Sequence, residues 1–265
     1  MLPLSQADLS RVRAVFTDVD GTLTTKGQLR ASTVAAIEQL VARRIDVVLV
    51  SGRPSGWGEC WARQLPVAGV IVENGGLSFV RRGEHLEKVY TEPEGVRQRN
   101  RRALERHVKA ALVAVKGARL SMDSSATEVD LAIDYAEQSS LGPKGAARLE
   151  AFLSARGVTA VRSSVHVNCW LGPFDKRTAV EAFLAREWRT RLRRDEARFV
   201  YVGDSFNDQP LFEAFPLSVG VANVRAVLPQ LEHPPKFVTR ATEGSGFGEV
   251  AGAVVRARRS RKARA

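Results

Sequence analysis

The chain has 265 residues, 44% apolar and 26% charged, with a formal net charge of +11. That composition can bury a sizeable core and excludes a disordered or collagen-like chain. Two cysteines, Cys60 and Cys169, exclude a disulfide framework, and no apolar run approaches membrane-spanning length. The N-terminus lacks a signal-peptide pattern, so a reduced, cytoplasmic setting is expected. Six basic residues and no acid fall in the last ten positions, Arg256 to Ala265. Taking those six from +11 leaves +5, so much of the excess is a tail, expected to be disordered and solvated. No aromatic residue interleaves with it, which disfavours nucleic acid as a partner.

In chain order, Arg13 to Thr17 is a short apolar strand that ends in Asp18-Val19-Asp20-Gly21-Thr22, a turn signal. Two carboxylates at one strand end repel each other unless a cation or a proton lies between them. A calcium loop does not fit, because Gly21 comes too early and no helix precedes the pair. Ser32 is placed to cap a helix running to about Arg44. Asp46 to Val50 reads as a buried parallel strand ending in Ser51-Gly52-Arg53-Pro54. A short helix near Trp57 to Gln64 leads to a strand at Val67 to Val72, which ends in Glu73-Asn74-Gly75-Gly76. Strand and helix alternating in this way predicts a doubly wound α/β domain.

The rhythm changes near Leu77. Leu77 to Val80 and His85 to Tyr90 read as a hairpin around Arg82-Gly83. A helix from about Pro93 to Val115, a strand at Glu128 to Tyr135, a helix at Pro143 to Arg156 and a strand stretch at Val158 to Leu171, bent at Ser163-Ser164, follow. This is a more antiparallel pattern, inserted between about 81 and 171. The first pattern then returns: a helix at Asp175 to Arg189, a strand at Phe199 to Val202, and Gly203-Asp204-Ser205-Phe206-Asn207-Asp208 beyond it. A helix at Gln209 to Phe215, strands at Leu217 to Val221 and Lys236 to Val238, and a helix at Gly246 to Arg256 close the chain.

Asp18-Val19-Asp20-Gly21-Thr22, then Ser51, then Lys176, then Gly203-Asp204 to Asn207-Asp208, in that order, resemble the motifs of the haloacid dehalogenase superfamily of phosphatases. The insert resembles the type-two (IIB-like) cap of its sugar phosphatases, those acting on sucrose-, trehalose- and mannosylglycerate-phosphates. The resemblance implies a doubly wound, Rossmann-like parallel α/β core at 1–80 and 172–255. An inserted α+β cap would occupy 81–171, and the basic tail 256–265. One departure is Arg177, where these phosphatases often have glycine.

The reaction that the resemblance implies is Mg²⁺-dependent hydrolysis of a small phosphorylated metabolite, foremost a sugar phosphate, through an aspartyl-phosphate intermediate. Asp18 is expected to attack phosphorus, and Asp20 to protonate the leaving oxygen and then activate water. Asp18, Asp204, Asp208 and the backbone carbonyl of Asp20 are expected to hold the metal. Ser51, Gly52, Lys176 and Asn207 are expected around the phosphate. Substrate specificity is expected from Arg53 and Asn74 and from one face of the insert's sheet, Asp130, His166, Asn168 and Trp170; a plain solvent-exposed face is the alternative. Asp18 to Thr24 also resembles the first motif of phosphomannomutases, so a phosphosugar mutase is an alternative reaction. A nucleic-acid-associated protein using the tail is a third reading, which leaves the four motifs unexplained. Oligomeric state is not legible.

Overall fold

The structure is a computed structural model that describes residues 1–262, with side chains described through Arg258. Nine strands form one sheet, in the order Leu2–Pro3, Phe237–Val238, Ser218–Gly220, Phe199–Gly203, Ala14–Thr17, Asp46–Val50, Gly69–Val72, Leu77–Arg82, His85–Tyr90. The first seven run parallel; the last two join antiparallel.

The period-2 alternation of the strands explains the two layers of helix. Val15, Val47, Leu49, Val70, Val200 and Val202 face one side, where Ile37 and Leu40 of helix Ala31–Val41 and Phe247, Val250 and Val254 of helix Glu243–Lys262 cover them. Phe16, Val48, Val50, Ile71, Phe199 and Tyr201 face the other. There Val180, Phe183 and Leu184 of helix Lys176–Trp188 and Leu211 and Phe212 of helix Gln209–Ala214 pack. Both faces of a parallel sheet are thereby buried, as its continuous apolar strands require.

A second sheet of four strands, ordered Thr159–Arg162, His166–Trp170, Leu131–Asp134, Arg119–Leu120, is antiparallel. Its apolar face carries Leu131, Ile133, Val167 and Cys169 onto helices Glu94–Ala114 and Gly142–Ser154. The chain turns at Ser163-Ser164, between two of its strands, as expected.

Three sequence expectations change. The hairpin strand His85–Tyr90, expected inside the insert, is hydrogen-bonded to the edge of the large sheet, because it continues the antiparallel ladder begun by Leu77–Arg82. The first helix has Arg30 at its N-cap with no side-chain cap, and Ser32 lies within its first turn. The basic tail, expected to be disordered, continues the last helix to Lys262, and Arg258 anchors it by donating to the backbone carbonyls of Val12 and Arg44 at 3.2 and 3.4 Å. Residues 263–265 lie outside the described residues.

Candidate active site

Strands Ala14–Thr17 and Phe199–Gly203 are paired in parallel, with Phe16 opposite Tyr201. From this pair the sheet grows outward in both directions, so the crevice between their carboxyl ends is the topological switch point of the sheet. Asp18 and Asp20 leave one strand there, and Asp204 to Asp208 leave the other.

Asp18, Asp204 and Asp208 are buried, and each brings one carboxylate oxygen within 4.8 Å of the others. Lys176 reaches this cluster from the first turn of its helix. Its Nζ donates to Asp18 Oδ1 and to Asp208 Oδ1, both at 2.6 Å. The helix start is fixed by Asp175, whose carboxylate accepts the Thr178 N–H at 2.7 Å in a capping box. Asp208 is filled: Tyr201 Oη donates to Oδ1 at 2.6 Å, and the N–H groups of Asp204 and Ser205 to Oδ2 at 2.9 and 3.0 Å. Asp204 is left more open, with Thr22 Oγ1 on Oδ1 at 3.0 Å and Asn223 Nδ2 on Oδ2 at 2.7 Å. Gly21 must be glycine here. Its φ is 76° and a Cβ would stand 2.5 Å from Asp204 Oδ2.

Three carboxylates face one ammonium. Burial pushes the Asp18 carboxyl up to about 8 despite the pull of Lys176, and burial with the nearby Asp18 and Asp208 raises Asp204 well above the usual range. Burial opposes the Lys176 ammonium, but attraction to Asp18 and Asp208 overcomes it and holds the group above its ordinary value. The uncompensated negative charge and all-oxygen donor set suit a hard divalent cation such as Mg²⁺.

Asp20 lies outside this cluster. Arg53 holds its carboxylate with two bonds, from Nε to Oδ2 and from Nη2 to Oδ1, each 2.9 Å. The same guanidinium donates to Asp123 at 3.2 Å and to Glu137 at 2.7 Å, both from the insert. Glu137 also meets His166 Nε2 at 2.9 Å, and the hydrogen bond from His166, helped by Arg53, pulls its carboxyl down to about 2. The insert thus closes over the core. The cavity lined by Asp18, Asp20, Gly52, Arg53, His166, Asn168 and Asn207 is about 10 Å³, room for roughly one water.

The remaining expected residues are placed as follows. Ser51 is buried in its turn, where its Oγ accepts the Arg53 N–H at 3.1 Å. Gly52 leaves space that a Cβ could not share, since it would stand 2.9 Å from Asn168 Nδ2 and 3.1 Å from the Asn74 amide. Asn207 accepts from Ser205 Oγ at 2.7 Å. The insert's polar face is not solvent-exposed, because His166 and Asn168 are buried against the core. Asp130 is fully buried behind Asn74, whose Nδ2 donates to it at 2.9 Å. Trp170 is not an open platform. It packs into the core cluster, stacks on Phe174 at 5.9 Å and donates its Nε1–H to the Phe174 carbonyl. Arg177 is turned aside onto Glu181 and Glu213.

Four side chains were missed by sequence reasoning: Glu73, Asp123, Glu137 and Asn223. Glu73 has no solvent exposure, and its carboxylate accepts N–H groups from Ser55 at 2.9 Å, Glu128 at 3.0 Å, Val129 at 2.6 Å and Asp130 at 3.1 Å. Asn223 bridges Asp204 and the Gly21 carbonyl. Their partners are distant in sequence, and no local spacing marks them.

A family profile described as haloacid dehalogenase-like hydrolase matches residues 15–141. A phosphoglycolate phosphatase of Archaeoglobus fulgidus is 28% identical over 243 residues, covering 89% of this chain and 94% of that protein. One of Haloarcula marismortui is 28% identical over 253 residues, with the same coverage. In fold, the crystal structure of Thermoplasma acidophilum 0175 is similar with a TM-score of 0.68 at 21% identity, covering 92% of this chain and 98% of that one. The sucrose-phosphatase of Synechocystis in complex with sucrose and phosphate is similar with a TM-score of 0.63 at 16% identity, covering 92% and 98%.

Proposed function

We propose that this chain, which matches a haloacid dehalogenase-like hydrolase profile over residues 15–141 and is similar to phosphoglycolate phosphatases, hydrolyses a small phosphate monoester with Mg²⁺ through an aspartyl-phosphate on Asp18. One observation carries this reading: three buried carboxylates gathered around a single buried ammonium at the switch point of a parallel sheet.

Lys176 and the turn at Ser51-Gly52 hold the phosphoryl group against Asp18. An Asp18 oxygen forms the bond to phosphorus as the bond to the leaving oxygen breaks. Asp20 gives that oxygen its proton, then takes a proton from the water that attacks the aspartyl-phosphate, releasing inorganic phosphate and restoring Asp18. Arg53 orients Asp20 for both steps. Asp18 and Asp204, with the backbone carbonyl of Asp20, would hold the cation, and Asp208 supports them from behind through Lys176 and the Asp204 N–H. The cation offsets the charge of the phosphoryl group and the carboxylates.

Hydrolysis is favoured over a mutase because the curated relatives are named phosphatases. Among the described residues no helix is long and apolar enough to cross a membrane, and both cysteines are free; a cytoplasmic setting fits these facts. The test is phosphate release from p-nitrophenyl phosphate by the wild type, with EDTA, with Mg²⁺ restored, and by Asp18→Asn. Release that persists in chelator, or in Asp18→Asn, overturns the reading.

A further inference from the structure

The far end of the large sheet, where its parallel strands begin, is strongly basic. Segment 189–198 holds five arginines against Asp195 and Glu196. Arg198 leads into strand Phe199–Gly203, Arg13 into Ala14–Thr17, and Arg44 stands just before Asp46–Val50. The Arg13 N–H donates to the Arg198 carbonyl at 2.8 Å and the Asp46 N–H to the Arg13 carbonyl at 2.9 Å, so these strand starts lie side by side. Arg258, bonded to the Val12 and Arg44 carbonyls, brings the last helix to the same end.

Few carboxylates balance these cations. Asp195 pairs with Arg198 at 3.3 Å and also faces Arg194 and Arg13, while Asp46 has Arg13 and Arg258 for neighbours. Arg11, Arg44, Arg189, Arg191 and Arg193 are exposed and make no ion pair among the described residues. Buried Leu192 pins the segment, and Arg191 and Arg193 stand out on either side of it. Beside them opens a cleft of about 760 Å³ whose walls are Arg189, Arg191, Arg193, Arg194, Thr190 and Ala185. Guanidinium groups gathered without acids repel one another, and their planar forks match phosphate oxygens. The cations continue from the cleft across strands about 4.8 Å apart, which suits a row of phosphates better than a single one.

The character of the row is set by what the face lacks. Single strands need aromatic platforms for their bases, whereas a duplex is held through its phosphates alone. The nearby Trp188 packs inward on Phe16 and Phe199. The exposed large apolar side chains lie elsewhere: Met1 and Leu2 at the outer edge strand, Trp57 after the carboxyl end of Asp46–Val50, and Val113, Leu120 and Met122 in the insert. A lipid surface would therefore find nothing here to take into its apolar layer.

We propose that this end of the molecule docks on the phosphate backbone of duplex nucleic acid, with segment 189–198 as its main contact. Arg13 and Asp18 lie at opposite ends of one strand, about 16 Å apart. The reacting centre therefore stays open in the docked protein.

The test titrates the full chain into fluorescein-labelled DNA and RNA duplexes of several sequences, with anisotropy read across a salt series. Binding should be indifferent to sequence, and log K should fall with log salt at a slope of about −4 or steeper, as for roughly four or more neutralised phosphates. Arg189→Gln, Arg191→Gln and Arg193→Gln combined should reduce that slope by about 2–3 and weaken binding at least about tenfold at about 50 mM salt. Arg99→Gln, Arg102→Gln and Arg106→Gln combined remove the same charge from exposed positions of helix Glu94–Ala114 and should bind as the wild type does. Should the first triple variant melt early, Arg191→Gln alone replaces it, with a slope loss of about 1. Binding of either duplex on these terms bears the proposal out, and the tighter of the two names the source. No binding of either, or equal losses in the two triple variants, overturns it. Tighter binding to vesicles of phosphatidylserine and phosphatidylcholine also overturns it, in favour of a membrane contact. A duplex that competes with p-nitrophenyl phosphate would sit at Asp18, which likewise overturns it.

Discussion

Arg53 grips Asp20 through two parallel hydrogen bonds of 2.9 Å, and its remaining N–H groups reach two carboxylates of the insert. The residue that orients the proposed acid–base group therefore also joins it to the insert.

Arg53→Lys should separate these roles. A lysine keeps the charge but offers no planar fork, so it cannot hold both oxygens of Asp20 and reach the insert. We expect kcat on p-nitrophenyl phosphate to fall by about tenfold to 10²-fold, approaching what a positioned general acid contributes at its low end. Wild-type kcat in the lysine variant would show that Asp20 needs no such clamp.

Glu73 is expected to fix the insert's strand to the core loop. Its carboxylate receives N–H groups from Glu128, Val129 and Asp130 on one side and from Ser55 on the other. Glu73→Ala leaves these buried donors unmatched, at about 1–3 kcal/mol for each that finds no water. Thermal unfolding should report a loss of at least about 3 kcal/mol on that scale. Glu73→Gln keeps one acceptor oxygen and should lie between. Equal stability of the alanine variant and the wild type would contradict the tether.

Glu137 gives a pH signature. Its folded-state pKa is depressed to about 2, first by the hydrogen bond with His166 and then by Arg53, against partial burial. A depressed carboxylate pKa contributes stability that is present above the ordinary value of 4.5 and is lost as pH falls towards about 2. The melting temperature of the wild type should therefore drop more between pH 5 and pH 2.5 than that of Glu137→Gln, whose amide does not titrate. Parallel pH profiles for the two proteins would remove Glu137 from the acid response.

Arg258 should matter for stability and not for chemistry. It bonds the last helix to the carbonyls of Val12 and Arg44, at the end of the sheet away from Asp18. Arg258→Ala should cost about 0.5–1.5 kcal/mol in denaturant unfolding, the ordinary net worth of such bonds, with kcat unaltered. No change in the unfolding midpoint would mean that the contact is incidental.

Much of the core was legible in the chain because its signals are local. Apolar runs of strand length, each ending in a turn with a polar residue, gave the parallel sheet and placed Asp18, Ser51 and Asp204 at strand ends. Period-2 parity correctly put His166 and Asn168 on one face of the insert's sheet. Parity does not say what that face meets. Only the fold buried it against the core, matched Arg53 to three carboxylates and hid the Trp170 indole behind Phe174. The edge position of His85–Tyr90 was likewise undecided by pattern, since a hairpin reads the same in either sheet and the free edge of the ladder selects its place. Glu73, Glu137 and Asn223 act through partners 18 to 202 positions away. A side chain's charge and reach are written in the sequence, but a hydrogen bond is a relation between two positions in space, and the packing of the insert on the core supplies the second position.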